Sequence, residues 1–151
     1  MSINGSILNP STANDLLNLI GFESKHFELI YRASRDGFSA SDYHSKVDCK
    51  SNTLHVIKTT DETVFGGYTT AKGSTVNQWV RDDAAFLFTL KNPANNPLKL
   101  PVKSEKKHEA IRNYHDYLSN FGDDDLRVKD MSNENVNSYV DIERYSKISL
   151  D

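Results

Sequence analysis

The first apolar pattern along the chain is that of a short amphipathic helix. Its apolar positions follow the spacing i, i+3, i+4 and i+7 and are occupied by Ala13, Leu16, Leu17 and Ile20. Gly21 comes next and is the residue type that commonly ends a helix. Thr12 and Asp15 are the predicted N-terminal cap. We therefore expect a helix that packs its apolar stripe against a larger body.

Beyond this helix the pattern changes to that of β-strands. FELIYR (27–32) and TLHVIK (53–58) carry apolar residues on both faces, as central strands covered on both sides do. ETVFGGYTT (62–70) follows TLHVIK after a short polar segment, so these two runs should form an antiparallel hairpin. Further strands that would continue the sheet are predicted in AAFLFTL (84–90), LKLPV (98–102), EAIRNY (109–114) and LRVKD (126–130).

The C-terminal part from Asn133 is polar and weakly patterned, and no regular element is predicted there. Its scattered apolar residues are Tyr139, Ile142, Tyr145 and Ile148. With 151 residues and a hydrophobic content of 37%, the chain has room for one domain with a single core. We divide this domain, 1–151, into an N-terminal segment and helix (1–21), a core (22–132) and a divergent tail (133–151).

Composition narrows the classes of function. The 18 basic and 21 acidic residues give a formal net charge of -3, which lacks the strongly basic footprint of a nucleic-acid-binding protein. Cys49 is the only cysteine, which excludes an internal disulfide and a zinc site built on several thiolates, and favours a reducing compartment. We find neither a signal-peptide pattern nor an apolar run of about 20 residues, so we expect a cytoplasmic protein without membrane insertion.

The stretch RDGFSASDYHSKVDC (35–49) concentrates residue types that serve in nucleophilic or metal-assisted catalysis. Within it, Ser39 stands three residues before Asp42, which is a variant of the capping box. On that interpretation Ser39 accepts a hydrogen bond from a backbone amide at the start of a helix. The helix would then pack Phe38, Tyr43 and Val47 against the sheet.

A hydrolase site that uses Ser41 or Cys49 with His44 is the alternative interpretation of this stretch. A nucleophile needs its base within about 3 Å and a third group that orients the base. Ser41 and His44 can be neighbours on a helix, whereas Cys49 lies beyond the expected helix end. None of these residues is surrounded by a nucleophile elbow or a papain-like segment. We therefore predict no enzymatic activity and no catalytic residue.

Cys49 is also a candidate for a thiol-based redox sensor. Lys46 and Lys50 supply nearby positive charge that would stabilise its thiolate. Such a sensor requires an exposed thiol that is oxidised reversibly. The competing interpretation is an ordinary thiol in a loop that connects a helix to a strand.

The remaining motifs have structural interpretations. Gly66-Gly67 is not followed by a helix-forming segment, so we predict a bulge or a close backbone approach instead of a phosphate loop. GDDDL (122–126) lacks the ligand pattern of a calcium loop, and KLPVKSEKK (99–107) is either a solvated loop or a docking point for a charged partner or anionic lipid. No metal-binding pair is formed by His26, His44, His55, His108 and His115. We predict no cofactor and no metal site.

Four blocks of the sequence together resemble the TLDc domain. They are LIYRASRDGFSASDYHSKVD (29–48), TLHVIKTT (53–60), VFGGYTT (64–70) and DDAAFLFTL (82–90). The resemblance runs from about Ser6 to Leu90, and more loosely to about Tyr139. It implies an α+β fold, a β-sandwich of two antiparallel sheets flanked by short helices, in which the segment after Gly37 is one of the helices.

The resemblance also implies a function. TLDc proteins have no accepted catalytic centre and are associated with protection against oxidative stress and with binding and regulating the vacuolar proton-pumping ATPase. For this chain we therefore expect a non-enzymatic protein-interaction domain, with a protein partner such as a subunit of that pump.

The sequence departs from the family pattern in three places. The tryptophan that often follows GGYTT is absent near Gly73, although Trp79 stands a few residues later. FGDDDL (121–126) replaces a glycine-rich FGGG-like segment. The chain also stops where a family member would continue to a strand that closes the sheet, so either this domain is shortened or its tail substitutes for that strand. Lack of that closing C-terminal strand would expose a sheet edge and allow a dimer or pairing with a partner's segment.

Overall fold

A computed structural model describes the following residues: 7–21, 26–72, 78–102, 111–113, 117–121, 126–129 and 139–148. The helices within these residues are α1 (Pro10–Ile20), α2 (Ala33–Asp36) and α3 (Ala40–Val47). The strands are β1 (His26–Arg32), β2 (Thr53–Thr59), β3 (Val64–Thr69), β4 (Gln78–Val80), β5 (Phe86–Lys91), β6 (Leu98–Pro101), β7 (Ile111–Asn113), β8 (Tyr117–Phe121), β9 (Leu126–Lys129) and β10 (Tyr139–Ile148). None of the described helices is long and apolar enough to cross a bilayer.

The strands form two antiparallel sheets. The larger sheet has six strands in the order β1-β10-β2-β3-β5-β6, and the smaller has four in the order β4-β7-β8-β9. The α+β class and the antiparallel pairing are therefore confirmed. The packing of the two sheets as a sandwich stays a prediction.

The polar, weakly patterned tail contains a regular strand at residues 139–148. They form β10, which lies inside the six-stranded sheet and pairs with β1 on one side and β2 on the other. The period-2 pattern was hidden because Glu143 and Arg144 are charged and yet both are buried. β10 is thus an inner strand, and the edges of this sheet are β1 and β6.

Both faces of the six-stranded sheet are covered by apolar side chains. Helix α1 covers one face with its predicted stripe, which contributes to a core that also contains Leu54, Val56, Tyr68, Phe86, Phe88 and Tyr145. Helices α2 and α3 cover the other face, where the buried residues are Tyr31, Ala33, Ala40, Tyr43, Val47, Ile57 and Ile142. Strands β2 and β10 are packed against helices on both sides of the sheet, and each therefore has buried apolar residues on both faces.

Helix α1 has the predicted apolar stripe and ends where predicted, but it begins earlier and has a different cap. Gly21 ends it in a left-handed conformation with φ 77°, and its N–H donates to the Leu17 carbonyl at 3.0 Å. At the N-terminus the side chain of Asn9 accepts from the Thr12 amide at 2.9 Å, and the Thr12 hydroxyl accepts from the Asn9 amide at 2.9 Å. The capping box therefore begins at Asn9, with Pro10 at the first helical position, and Asp15 takes no part in it.

The hairpin of β2 and β3 is confirmed, and Gly66 shows why a glycine stands in it. A Cβ at Gly66 would overlap the carbonyl oxygen of His55 and lie 2.9 Å from Cζ of Phe88. This is the close backbone approach that the sequence predicted. The tip of the hairpin uses Glu62 in a left-handed conformation with φ 70° in place of the usual glycine.

Prolines occupy the outward positions of the edge strand β6. The Val102 amide donates to the Ala85 carbonyl at 3.1 Å, which makes these two residues a hydrogen-bonded pair of the ladder. By alternation, residues 98 and 100 also point their backbone groups toward β5, whereas Pro97, Lys99 and Pro101 point theirs away. Two of these three outward residues have no N–H to donate, so β6 is a poor template for a further strand.

We predict that replacing both prolines opens this edge. The Pro97→Val and Pro101→Val double variant regains two outward donors and should self-associate through β6 with rising concentration. Light scattering coupled to gel filtration measures this, with Pro10→Ala, at the start of α1, as the control. A double variant that stays monomeric at the concentrations where it remains folded would contradict the prediction.

Candidate functional site

The stretch 35–49 forms the turn between α2 and α3 and then α3 itself. The hydroxyl of Ser39 accepts from the Asp42 amide at 3.0 Å, so the predicted N-terminal cap is confirmed. Tyr43 and Val47 are buried against the sheet, and Phe38 is half-buried beside them. Ser39, the first serine of the stretch, therefore stabilises the start of α3.

The candidate base of this stretch is paired with an acid. Nδ1 of His44 lies 2.8 Å from Oδ1 of Asp48, and the Asp48 amide donates to the His44 carbonyl at 3.1 Å. The imidazole also contacts the Tyr43 ring edge-on and is only 10% exposed. Ser41 and Cys49 are both exposed. The His44–Asp48 pair closes the last turn of α3, and the expected lack of enzymatic activity stays a prediction.

A structural role for Ser39 has a measurable consequence. Ser39→Ala removes the acceptor of the Asp42 amide and should lower the free energy of unfolding by about 1 kcal/mol. Ser41→Ala, on the exposed side of the same turn, should change it by less than about 0.5 kcal/mol. Urea unfolding of both variants checks the difference. Equal losses would mean that the Ser39 cap contributes nothing to stability.

Cys49 lies in the loop between α3 and β2, as predicted. Its thiol is exposed, and its backbone is left-handed with φ 68°. The neighbouring Lys50 amide donates to the Val47 carbonyl at 3.1 Å and ends the helix. Exposure is one of the two properties that a redox sensor needs.

Helix α2 is held to the sheet by its own polar contacts. Asp36 accepts from the Arg32 amide at 3.0 Å and from two nitrogens of Arg35 at 2.8 Å each. These hydrogen bonds, led by the one from the Arg35 side chain, lower the pKa of Asp36 to about 2. The Tyr31 hydroxyl donates to the Gly37 carbonyl at 2.6 Å, so the start of the α2–α3 turn is fixed as well.

Asp82 is a buried carboxylate that joins two of the sequence blocks. It accepts from the Thr69 hydroxyl at 2.6 Å and from the amide and hydroxyl of Thr70, each at 2.8 Å. It also accepts from the Ala84 amide at 3.0 Å. The carboxylate thus ties the end of β3 to the loop that leads into β5. Sequence reasoning missed this role, although the TT and DD pairs within the two blocks were its visible signal.

We predict a large difference between the two adjacent aspartates. Asp82→Ala removes the acceptor of the buried Thr69 hydroxyl and of the partly buried Thr70 and Ala84 groups, and should cost about 3 kcal/mol of unfolding free energy. Asp83→Ala removes an exposed ion pair with Arg81 and should cost less than about 1 kcal/mol. Thermal and urea unfolding of the two variants test this. Similar losses at both positions would show that the Asp82 hydrogen bonds are not what stabilises this loop.

Glu143 of β10 is fully buried and connects three parts of the chain. Oε1 accepts from the Ile7 amide at 2.7 Å, and Oε2 accepts from the Tyr145 hydroxyl at 3.0 Å. Nε of Arg32, in β1, lies 3.4 Å from Oε2. The carboxylate therefore fixes the segment before α1 against the middle of the sheet.

Arg144 points to the opposite face of the sheet, under α3. Its Nη2 donates to the Thr53 hydroxyl at 2.6 Å, and its guanidinium lies 5.2 Å from the centre of the Tyr43 ring. The Nε of Arg144 and the hydroxyl of Tyr43 are buried and have no hydrogen-bond partner. Burial lowers the pKa of Arg144 to about 9. Its register neighbour His55 is also buried, which lowers the pKa of that imidazole to about 3.

The other sequence motifs fall partly outside the described residues. GDDDL lies outside them except for the backbone of Leu126, and so does the 103–107 part of the basic segment. Lys99 donates to the Ile20 carbonyl at 3.2 Å and lies 4.6 Å from the centre of the Phe86 ring. Among the residues that the structure describes, no three His, Cys, Asp or Glu side chains come together as metal ligands.

Comparison with known proteins gives one match. The family model of the TLDc domain matches residues 1–149 of the 151-residue chain. No curated protein matches the chain. The family match covers all four blocks that resemble this domain and extends through β10, beyond the segment where the sequence resemblance was visible.

Proposed function

This chain belongs to the TLDc family, and from that premise we propose that it is a non-enzymatic protein-interaction domain. It acts in protection against oxidative stress by binding or regulating the vacuolar proton-pumping ATPase, in the cytoplasm. Its scaffold is a β-sandwich of two sheets. The observation that carries the proposal is the family match over residues 1–149.

The contacts of the polar side chains support binding over catalysis. Ser39 caps a helix, Asp82 ties a loop to β3, and Glu143 joins the N-terminal segment to the sheet. Each of these groups is engaged with backbone amides, so each serves the fold. His44 and Asp48 are paired within one helical turn. The structural contacts of these residues explain why polar groups stand at these positions, without a catalytic role.

Exposed apolar side chains give the domain surfaces for a protein partner. Leu98 and Leu100 of β6 are 43% and 52% exposed, and Trp79 of β4 is 38% exposed. Leu98 and Leu100 are two residues apart on one strand and so lie on the same face. Aromatic and large apolar side chains commonly dominate the energy of protein interfaces.

Binding to solubilised vacuolar ATPase tests the proposal. The purified chain, immobilised, should retain the pump at micromolar concentration and change its rate of ATP hydrolysis. The Leu98→Ser and Leu100→Ser double variant tests whether the β6 leucines contribute, with Asp83→Ala as a folded surface control. A well-folded chain that neither retains the pump nor alters its rate would remove the ATPase part of the proposal.

The exposed thiol of Cys49 favours a second candidate, a thiol-based redox sensor. In that case peroxide should oxidise Cys49 reversibly, and Cys49→Ser should abolish peroxide resistance in cells that depend on the protein. The same variant should bind the pump normally if binding is the activity. Full resistance of cells carrying Cys49→Ser would rule out the sensor.

The hydrolase alternative is tested with the same set of proteins. If Ser41 or Cys49 were a nucleophile activated by His44, serine-directed or thiol-directed probes would label it, and His44→Gln would suppress the labelling. We expect no serine labelling, and thiol labelling that is insensitive to His44→Gln. Labelling that depends on His44 would overturn the non-enzymatic proposal.

A further inference from the structure

Strand β6 is the outermost strand of the six-stranded sheet and carries an exposed apolar pair. Leu98 and Leu100 are 43% and 52% exposed, and they stand opposite Thr89 and Leu87 of β5 in the register. The two leucines lie on the same face, since they are two residues apart on one strand. Much of their apolar surface is therefore left to solvent at the rim of the sheet.

The segment that carries this pair has no acidic residue. Between positions 84 and 102 the chain contains two lysines, Lys91 and Lys99, and neither Asp nor Glu, although the net charge of the whole protein is -3. Both lysines are exposed. Lys91 ends β5, and Lys99 stands between the two leucines and also donates to the Ile20 carbonyl at 3.2 Å. Apolar and cationic groups thus occur together on β6 and at the end of β5.

Two exposed acids of neighbouring elements already have cationic partners. Glu62, in the turn between β2 and β3, lies 3.3 Å from Lys58. Asp83, before β5, lies 2.8 Å from Arg81. These two carboxylates are engaged by other cations and so leave the charges of the segment 84–102 to an external partner.

The geometry of β6 indicates the kind of partner. Two of the three outward residues of its backbone are prolines, so a partner that adds a strand is disfavoured. An edge strand has a neighbour on one side only, so the leucines stand on a rim, whereas an amphipathic helix usually docks in a groove. A bilayer surface accepts protruding apolar side chains, and its anionic headgroups attract lysines.

We infer that the β6 rim, defined as Lys91 and residues 98–100, is a surface by which this protein adsorbs to anionic lipid bilayers. The leucines reach the boundary between headgroups and acyl chains, and the lysines contact the anionic headgroups. The contact is reversible and is made by side chains, with the sheet itself outside the bilayer. This inference goes beyond binding to the vacuolar ATPase and does not require it.

Co-sedimentation of the full chain with lipid vesicles tests the inference. Vesicles of phosphatidylserine and phosphatidylcholine in equal parts are compared with vesicles of phosphatidylcholine alone. Wild type should bind the anionic vesicles and be released by added salt. The Leu98→Ser and Leu100→Ser double variant should bind about tenfold more weakly, and Lys91→Gln about fivefold more weakly.

A double variant of two other exposed lysines is the matched control. Lys46→Gln with Lys50→Gln changes α3 and the loop after it, and it should bind the anionic vesicles as wild type does. Circular dichroism of each variant verifies that it is folded. If the control loses as much binding as Lys91→Gln, the vesicles respond to net charge and the β6 rim is not the surface.

A fluorophore on β6 gives a local readout. The dye NBD, attached to Leu98→Cys in a Cys49→Ser background, should shift its emission to shorter wavelengths when anionic vesicles are added. The same dye on native Cys49, the only cysteine of the chain, should not shift. Cys49 precedes β2, and β3 and β5 lie between β2 and β6 in the sheet.

The outcomes separate this inference from the proposed function. A folded chain that does not bind anionic vesicles, or binding that the leucine and lysine variants leave unchanged, overturns the inference. Without vesicle binding, leucine-dependent self-association would assign the β6 rim to a second copy, and leucine-dependent retention of the solubilised pump would assign it to the pump. Vesicle binding by a chain that does not bind the pump would support the inference and remove only the ATPase proposal.

Discussion

Gly66→Ala is expected to prevent stable folding. The added methyl group would overlap the carbonyl oxygen of His55 on the neighbouring strand and press on Phe88. Overpacked cores usually lose about 1–3 kcal/mol, and the loss here should be larger because the opposing atom belongs to backbone that is fixed on both sides. Domains of this kind have only about 5–15 kcal/mol of stability to lose. Circular dichroism should show an unfolded or aggregated chain.

Gly21→Ala is the matched control for this prediction. Gly21 has a left-handed backbone with φ 77°, but an added Cβ would meet no atom within 4 Å. The substitution should therefore cost only about 1 kcal/mol through backbone strain. If Gly66→Ala proved as stable as Gly21→Ala, β2 and β3 would have to separate easily, and the close approach would not constrain the sequence.

Glu143→Ala should cost about 3–5 kcal/mol, the loss typical of removing one partner from a buried ionic network. The amide of Ile7 and the hydroxyl of Tyr145 would lose their acceptor, and Arg32 would lose its ion pair. Glu143→Gln keeps the volume, but one oxygen becomes an NH2 group that faces other donors, so about 2 kcal/mol should be lost. Urea unfolding of both variants measures the two losses, and the loss should be larger for Glu143→Ala.

Glu28→Ala is the control for the carboxylate at 143, because Glu28 is an exposed residue of β1, the strand that pairs with β10. This substitution should change the free energy of unfolding by less than about 0.5 kcal/mol. A stable Glu143→Ala variant would mean that the segment before α1 is not held by this carboxylate. Hydrogen exchange at the Ile7 amide gives a local readout, and its protection should fall in Glu143→Ala while the β2 amides keep theirs.

Local features of the fold could be predicted from the sequence. The apolar stripe of α1, its end at Gly21 and the cap at Ser39 each depend on residues within seven positions of one another. The β2–β3 hairpin likewise depends on neighbouring runs and was predicted correctly. The predicted cap of α1 is nevertheless wrong, although it too is a local feature. Thr12 is the third helical residue of a capping box that begins at Asn9.

Features that rest on distant contacts could not be predicted. The carboxylate of Glu143 meets Ile7 and Arg32, which are 136 and 111 positions away. Its charge and that of Arg144 broke the alternation by which a strand is recognised, because both charges are buried where the pattern leads one to expect apolar residues. The function of Asp82 as an acceptor for the end of β3 also rests on contacts beyond the local sequence, with residues 13 and 12 positions away.

The central position of β10 determines when the six-stranded sheet can form during synthesis of this protein. Strands β1 and β2 cannot pair with their shared neighbour until residues 139–148 have left the ribosome, so the six-stranded sheet is completed late. The pairing of His26 with Ile148 spans most of the chain, and such long-range contacts slow folding. Until then the inner edges of β1 and β2 remain open, and open strand edges can pair with other chains.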